Sequence, residues 1–256
     1  MDLTTVATFR DADDALTLAP GETWLAGGTW LFSEPQPGTT GLVDLTALDW
    51  STWERGTDLL TIGATCTIAE LVERAEDAKD LPALAIVRPA AESLVMSSKI
   101  WSAATVGGNV CLALPAGAMT SWLAGLGAVA VVRGPSGTRR EPVADLVRGV
   151  RATSLGHGEV VRAFELDLAV LAAPAVLRRF ALTEMGRSGG VVVGRPADAG
   201  SVLTVTGATD RPRVVRDEQG LADLEWYDDP HGAPDWRAAQ TLRCAREVVA
   251  ELAGVA

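Results

Sequence analysis

The chain of 256 residues has few of the residues that hold metals or form disulfides: three cysteines and two histidines. Cys66, Cys111 and Cys244 are far apart and form no CxxC pair. A tetrahedral zinc site needs four nitrogen or sulfur ligands, and an iron–sulfur cluster usually needs four cysteines. The sequence therefore predicts no metal site in this chain. We interpret the cysteines as buried apolar residues or as free thiols in a reducing compartment.

Positive charge and long apolar runs are also scarce. The net charge is −11 and only two residues are lysine, which argues against a nucleic-acid partner. No uncharged stretch is long enough to cross a membrane, and residues 1–15 lack the basic and apolar regions of a secretory signal. We therefore expect a cytoplasmic chain. With 48% hydrophobic and 21% charged residues, its composition is that of a folded globular protein.

Hydrophobic patterning predicts a chain that mixes strands and helices. Strands are predicted over 24–26, 41–45, 51–56, 59–64, 129–134, 159–168, 176–184, 201–209 and 211–217. Helices are predicted over 13–19, 67–78, 83–87, 90–96, 120–128 and 236–252. In the last helix, Asp235 is the expected N-cap, and the apolar face comprises Ala238, Leu242, Ala245, Val249 and Leu252. A break at residues 172–174 predicts two domains, 1–172 and 173–256, with subdomains of the first at about 1–52 and 53–172.

Two uncharged stretches contain paired glycines: WLAGGTW at residues 24–30 and AATVGGNVCLALPAG at residues 103–117. Consecutive glycines allow several backbone N–H groups to point into one concavity, where they bind anionic oxygen. Thr29, Thr105 and Asn109 add polar side chains. Two such loops could hold the two phosphates of a dinucleotide such as FAD, although each stretch could also be a simple tight turn. A GxGxxA match at residues 125–130 is not a Rossmann motif, because it ends a predicted helix and precedes a strand.

AGGT at residues 26–29 and TVGGN at residues 105–109 resemble the paired flavin motifs of the FAD-binding subunits of molybdenum hydroxylases. That family includes the medium subunit of carbon monoxide dehydrogenase and the flavin domain of xanthine dehydrogenase. The resemblance covers nearly the whole chain. It implies an α+β fold of the PCMH or vanillyl-alcohol-oxidase type, with two subdomains that hold FAD. A small C-terminal domain with a three-stranded sheet and helices would follow, as in the carbon monoxide dehydrogenase flavoprotein.

The same resemblance implies a function and a set of residues. FAD would pass electrons from two [2Fe–2S] clusters on a small partner subunit to an external acceptor, and a large partner subunit would carry the molybdenum–pterin cofactor. The implied assembly is a dimer of heterotrimers. The cofactor contacts carried over from the family are Leu25, Ala26, Gly27, Gly28, Thr29, Trp30, Thr105, Val106, Gly107, Gly108, Asn109 and, near the isoalloxazine, Arg178. No residue of this chain is expected to be catalytic. Arg178 could equally be a solvated charge on a strand.

The chain departs from the family pattern at four positions. Ala118 stands where many members have aspartate, Leu114 replaces a serine, Trp30 replaces an acidic or polar residue, and Trp101 replaces an arginine. Two alternatives to the electron-transfer function therefore remain open. One is a free-standing flavin oxidase, although the residues after Ala172 are few for a substrate domain. The other is a flavin-free structural or assembly subunit of the same kind of complex.

Overall fold

The structure, a computed structural model, describes residues 5–48, 50, 53–198 and 200–255. The strands are β1 (Thr8–Asp11), β2 (Glu22–Leu25), β3 (Gly41–Asp44), β4 (Trp53–Arg55), β5 (Leu59–Gly63), β6 (Val129–Gly134), β7 (Gly137–Pro142), β8 (Val147–Gly149), β9 (Ala152–Thr153), β10 (Val160–Asp167), β11 (Val176–Phe180), β12 (Gly190–Ala197), β13 (Gly200–Thr206) and β14 (Arg213–Val215). The helices are α1 (Ile68–Asp77), α2 (Val87–Glu92), α3 (Ser98–Trp101), α4 (Val106–Leu112), α5 (Ala118–Gly125), α6 (Val143–Leu146), α7 (Leu168–Leu171), α8 (Glu218–Ala222) and α9 (Pro234–Val255). Short 3₁₀ turns cover Leu45–Ala47 and Pro82–Ile86.

The first three strands form a parallel sheet in the order β1-β3-β2. Gly41 at the start of β3 pairs with Thr8 of β1 on one side and with Glu22 of β2 on the other. Because parallel strands end at the same edge of a sheet, the chain that leaves β2 starts at this common edge. The first glycine motif, residues 26–29, follows β2 directly and therefore lies at the edge where ligands commonly bind in parallel sheets.

The second sheet is antiparallel, with the order β4-β5-β10-β6-β7. The predicted hairpin of β4 and β5 is confirmed for its described part, whereas residues 51 and 52 of the predicted strand lie outside the described residues. The capping box that begins α1 is also confirmed: the Thr67 hydroxyl accepts the N–H of Glu70, and the Glu70 carboxylate accepts the N–H of Thr67. One hydrophobic core joins this sheet to α1, α2, α4 and α5, with the Trp122 side chain fully buried.

The C-terminal sheet has four strands, β11-β12-β13-β14, rather than the three that the resemblance implied. The additional strand is β12, whose GVVVG segment is buried on both faces and so lacks the alternation of a half-exposed strand. Val193 packs on α5 of the preceding core, where it lies beside Gly125, and Val192 packs in the core beneath α9. The two cores therefore meet across β12. The domain division at residues 172–174 stays a prediction.

Three local predictions were wrong. Residues 13–19 do not form a helix: a turn covers residues 14 and 15, the Asp13 carboxylate accepts the N–H of Ala15, and Leu16 has a φ of 48°. The helix predicted over 90–96 lies earlier, at Val87–Glu92, and Val95 with a φ of 54° follows its end. Helix α9 begins at Pro234, so Asp235 lies inside the helix and is not its N-cap. On the apolar face predicted for this helix, Val249 is exposed, and its neighbour Val248 is buried in its place.

Candidate functional site

Gly27 and Gly28 shape the first glycine motif in different ways. A Cβ atom on Gly27 would lie 1.8 Å from the carbonyl oxygen of Ala103, so only glycine allows this loop to touch the segment before the second motif. Gly28 has a φ of +69°, and a Cβ there would meet the Phe32 ring at 2.4 Å. The first motif is thus in direct backbone contact with residues 103 and 104, which immediately precede the second motif.

The first motif also presents unused hydrogen-bond donors. The Gly28 carbonyl accepts the N–H of Phe32, and the carbonyl of Trp30, which follows the motif, accepts the N–H of Ser33. In contrast, no residue in the described part of the chain accepts the backbone N–H of Gly27, Gly28 or Thr29. Backbone donors seldom remain unpaired in a folded protein unless water or a ligand accepts them. These three N–H groups, beside the Thr29 hydroxyl, are the polar groups expected of an anion-binding loop.

The second motif begins helix α4 and is not a loop. Thr105 is the N-cap, and its hydroxyl accepts the N–H of Gly108 at 3.1 Å. The N–H of Val106 donates to Cys66, and that of Gly107 donates to Ala64. The expectation of two open nests of N–H groups is therefore corrected: the N–H groups of residues 106–108 have acceptors within the protein, and the open donors belong to the first motif.

The two glycines of α4 differ from those of the first motif, because they contribute the absence of a side chain and not hydrogen-bond donors. A Cβ on Gly107 would lie 2.6 Å from the Cβ of Ala64, so this glycine allows the helix to pack against the turn after β5. Gly108 is exposed and does not have a positive φ, and the one neighbouring atom that its Cβ would meet is the Thr105 hydroxyl. The side-chain oxygen Oδ1 of Asn109 accepts the N–H of Met119 at the start of α5, which leaves the side-chain N–H₂ of Asn109 as a donor.

These segments surround a cavity of about 550 Å³, a size typical of small-molecule sites. Its walls come from both sheets and from the C-terminal region, namely residues 23–31, 33, 36, 45, 64–65, 93–94, 96, 100, 104–105, 107–109, 111–112, 114, 116–117, 151, 155, 159–161 and 187. Ten of the twelve predicted cofactor residues line it. They are the six residues 25–30, which include the first motif, and Thr105, Gly107, Gly108 and Asn109 of the second motif. Val106 is not in the wall, because its side chain is fully buried in the core.

Arg178, the remaining predicted contact, lies outside the cavity wall, so its predicted contact with the flavin gains no support from the cavity. It is a residue of β11 whose guanidinium forms an ion pair with Glu251 and approaches Glu247 of α9 at 3.7 Å. Because alternate side chains of a strand face opposite sides, this one is directed to the acidic helix and is absent from the cavity wall.

The cavity contains cations that the sequence alone did not associate with the glycine motifs. Arg151, between β8 and β9, and Arg187, between β11 and β12, both line it, and neither has a carboxylate partner among the described residues. A carboxylate in the wall, Glu159, accepts two hydrogen bonds of 2.9 Å from Arg139 and one from the N–H of Gly156. The bonds from Arg139 are the main reason that the pKa of Glu159 falls to about 2, so this carboxylate stays ionised and paired.

The four departures from the family pattern occupy different places. Trp30 and Leu114 line the cavity, so an indole and an isobutyl group replace polar groups in its wall. Ala118 is buried at the first residue of α5, and Trp101 packs against the main core outside the cavity. The indole N–H of Trp30 is buried without an acceptor in the described structure, as is that of Trp24, another residue of the wall.

Cys111 is a further residue of the wall that the sequence did not associate with the site. It lies one turn after Gly107 in α4, so its position follows from helical periodicity once the helix is known. Burial raises the pKa of its thiol to about 12. The thiol is therefore protonated at neutral pH and is a poor nucleophile.

The described residues contain no group of three or more histidine, cysteine, aspartate or glutamate side chains placed to hold a metal ion. Over the same part of the chain, none of the helices has the length and apolar character needed to span a bilayer.

Comparisons with known proteins agree with this geometry. The family model for the FAD binding domain in molybdopterin dehydrogenase matches residues 1–166. The fold is similar to that of carbon monoxide dehydrogenase from Oligotropha carboxidovorans, with 21% identity, all of both chains covered and a TM-score of 0.82. Quinoline 2-oxidoreductase from Pseudomonas putida 86 gives 20% identity, 96% coverage of each chain and a TM-score of 0.81.

Carbon monoxide dehydrogenase from Hydrogenophaga pseudoflava is also similar, with 16% identity, 95% of this chain and 96% of that chain covered, and a TM-score of 0.78. No curated protein matches the sequence. At these identities the solved structures establish the α+β fold, including the C-terminal sheet and helix. The family model, in contrast, covers more than half of the chain and both glycine motifs. The chain therefore belongs to the family of FAD-binding domains of molybdopterin dehydrogenases.

Proposed function

We propose that this chain is the electron-transfer flavoprotein subunit of a heteromeric molybdenum hydroxylase or dehydrogenase. The observation that carries the proposal is the set of N–H donors at Gly27, Gly28 and Thr29 that have no acceptor among the described residues, in a segment that lines a cavity together with the second flavin motif. In a chain with a net charge of −11, such a concentration of unpaired donors favours an anionic ligand.

The residues of the cavity fit FAD. The N–H groups of the first motif, with the Asn109 amide, would hold the pyrophosphate, and Gly108 would leave room for it. Leu94, Met96 and Ile100 provide apolar surface suited to a flat ring system. Arg187 adds a positive charge to the wall from the C-terminal region.

When bound, FAD supplies the exchange of one or two electrons, and the protein supplies its binding, orientation and surroundings. We infer that the electrons come from two [2Fe–2S] clusters of a small partner subunit and leave to an external acceptor. A large partner subunit would carry the molybdenum–pterin cofactor, in a dimer of heterotrimers. Two relatives support the molybdenum part of this proposal: one structure is of a Cu,Mo-containing carbon monoxide dehydrogenase, and another is of a form that lacks the Mo-pyranopterin moiety of its molybdenum cofactor.

The cofactor part of the proposal is tested by titrating the purified chain with FAD and following the quenching of flavin fluorescence. We expect one FAD per chain, released as free yellow flavin by acid precipitation. A chain that arrives colourless and does not bind added FAD would contradict this and would favour the flavin-free assembly subunit.

The electron-transfer part is tested with the chain purified together with the proteins that bind it. Native mass spectrometry should show a complex with one large and one cysteine-rich small subunit. In an FAD-depleted complex, substrate should still reduce the clusters, whereas transfer to the external acceptor should stop until FAD is added back. An isolated chain that hydroxylates substrate by itself would contradict the proposal.

A further inference from the structure

Arg151 occupies an unusual backbone position at the edge of the cavity. It is the second residue of the two-residue turn between β8 and β9 and has a φ of 55°. A left-handed residue at this position of a turn is normally glycine or asparagine, because a Cβ is unfavourable there. Its N–H donates to the carbonyl of Ala113 at 2.8 Å, and Ala113, at the end of α4, is itself left-handed with a φ of 51°. The backbone of Arg151 is thus fixed to the helix that carries the second motif.

The side chain of Arg151 reaches the first motif. Its guanidinium carbon lies 5.7 Å from the centre of the Trp30 ring, within the range of a cation–π contact. Trp30 follows the open donors at Gly27, Gly28 and Thr29 directly in sequence. A guanidinium that stacks on an indole keeps its edge N–H groups free for an anion, because stacking uses only the flat face. The cation and the backbone donors therefore lie on neighbouring parts of one wall.

In the part of the chain that the structure describes, no carboxylate pairs with Arg151, although the chain carries 33 acidic residues. Glu159, the acidic residue that shares the cavity wall, is held by Arg139 through two hydrogen bonds. Arg151 is exposed at the edge of the cavity, so its guanidinium is accessible to a ligand that enters, and its unfavourable backbone conformation is of the kind that ligand sites often retain.

We propose that Arg151, whose guanidinium lies over the Trp30 ring, is the cation that binds the pyrophosphate of the dinucleotide in this chain. The inference rests on the proposed function and goes beyond it, since the N–H groups of the first motif carry no formal charge. Arg151 adds charge-assisted, directional hydrogen bonds to the two negative charges of the pyrophosphate. Trp30 orients the guanidinium by its ring, which gives a function to a residue at which this chain departs from the flavin motif.

The test compares FAD affinity, its salt dependence and the melting temperature for three variants of the full chain. Arg151→Gly removes the charge and suits the left-handed backbone, so its melting temperature should equal or exceed that of the wild type. Its FAD affinity should fall by about 10- to 100-fold, the effect of losing one charged hydrogen-bonding group. The affinity of the variant should also depend less on salt concentration. Arg151→Lys keeps the charge and should recover part of the affinity.

Arg162→Gln is the matched control. The Arg162 guanidinium lies 5.6 Å from the centre of the Trp50 ring, in the same kind of contact, but Arg162 is not part of the cavity wall. This variant should bind FAD as the wild type does. Wild-type affinity in Arg151→Gly, or equal losses in Arg151→Gly and Arg151→Lys, would overturn the inference and leave the proposed function intact. If the wild-type chain itself fails to bind FAD, the proposed function and the inference both fail.

Discussion

The Gly108→Val substitution tests whether the second motif contributes to FAD binding independently of its contribution to the stability of the fold. Gly108 is exposed in α4, and a Cβ there would meet only the Thr105 hydroxyl, at 2.8 Å. The two methyl groups of valine would therefore extend toward the cavity beside Asn109. Because the φ of Gly108 is not positive, the backbone itself accepts the new side chain.

The expected loss of binding is large. If the methyl groups displace the pyrophosphate from the first motif, two charge-assisted hydrogen bonds are lost, each of about 1.5–3 kcal/mol. The resulting total of about 3–6 kcal/mol corresponds to a decrease in FAD affinity of about two to four orders of magnitude. Stability should change little: valine has a better helix propensity than glycine by a few tenths of a kcal/mol, and a weakened Thr105 cap costs about 1 kcal/mol. We expect a melting temperature within about 2–4 °C of the wild type.

The assay is an FAD titration by fluorescence, with circular dichroism melting of the same samples. Gly107→Ala is the control, because its methyl group would lie 2.6 Å from Ala64 and 2.8 Å from the Ala64 carbonyl oxygen. It should lower stability by about 1–3 kcal/mol through overpacking. Gly108→Val with wild-type FAD affinity and an unchanged melting curve would refute the assignment of this face of α4 to the cofactor.

Three further results are expected from the structure. Arg237→Ala should lower the free energy of unfolding by about 3–5 kcal/mol in denaturant titrations, because the fully buried Arg237 pairs with Asp229 at 2.6 Å. Asp229→Asn should lower it by a smaller amount, and an unchanged free energy of unfolding in both variants would contradict the prediction. Stability should fall as the pH drops from about 4.5 toward 2. The pKa of Glu159 is lower in the folded chain than in the unfolded chain, so its ionised, Arg139-paired form stabilises the fold above this pH range and the stabilisation is lost within it. Glu159→Gln should therefore flatten this part of a plot of melting temperature against pH. Cys111 should resist alkylation at about pH 8 in the native chain and react after unfolding, as followed by mass spectrometry, because its pKa is raised to about 12.

The candidate site was only partly predictable from the sequence. The two glycine pairs could be identified from the sequence, because the close backbone contacts at Gly27 and Gly107 permit no larger residue. The predicted cofactor residues next to them were then identified by their position in the sequence. Which N–H groups stay open was not predictable, because the acceptors of residues 106 and 107 are carbonyls of Ala64 and Cys66 in a distant turn. The charges of the wall were likewise hidden, as Arg187 comes from the connection between two strands of another sheet.

By itself, the sequence determined the local structure wherever a local interaction dominates. The Thr67 capping box and the periodicity of the strands follow from contacts within a few residues, although the local hydrogen bond of Asp13 that prevents a helix over 13–19 was missed. Tertiary structure decided the rest. The GVVVG segment of β12 becomes a strand because α5 and α9 cover its two faces, and Arg178 turns away from the cavity because α9 presents Glu247 and Glu251 to it. These outcomes depend on burial and charge between segments far apart in the chain, and no local propensity encodes such contacts.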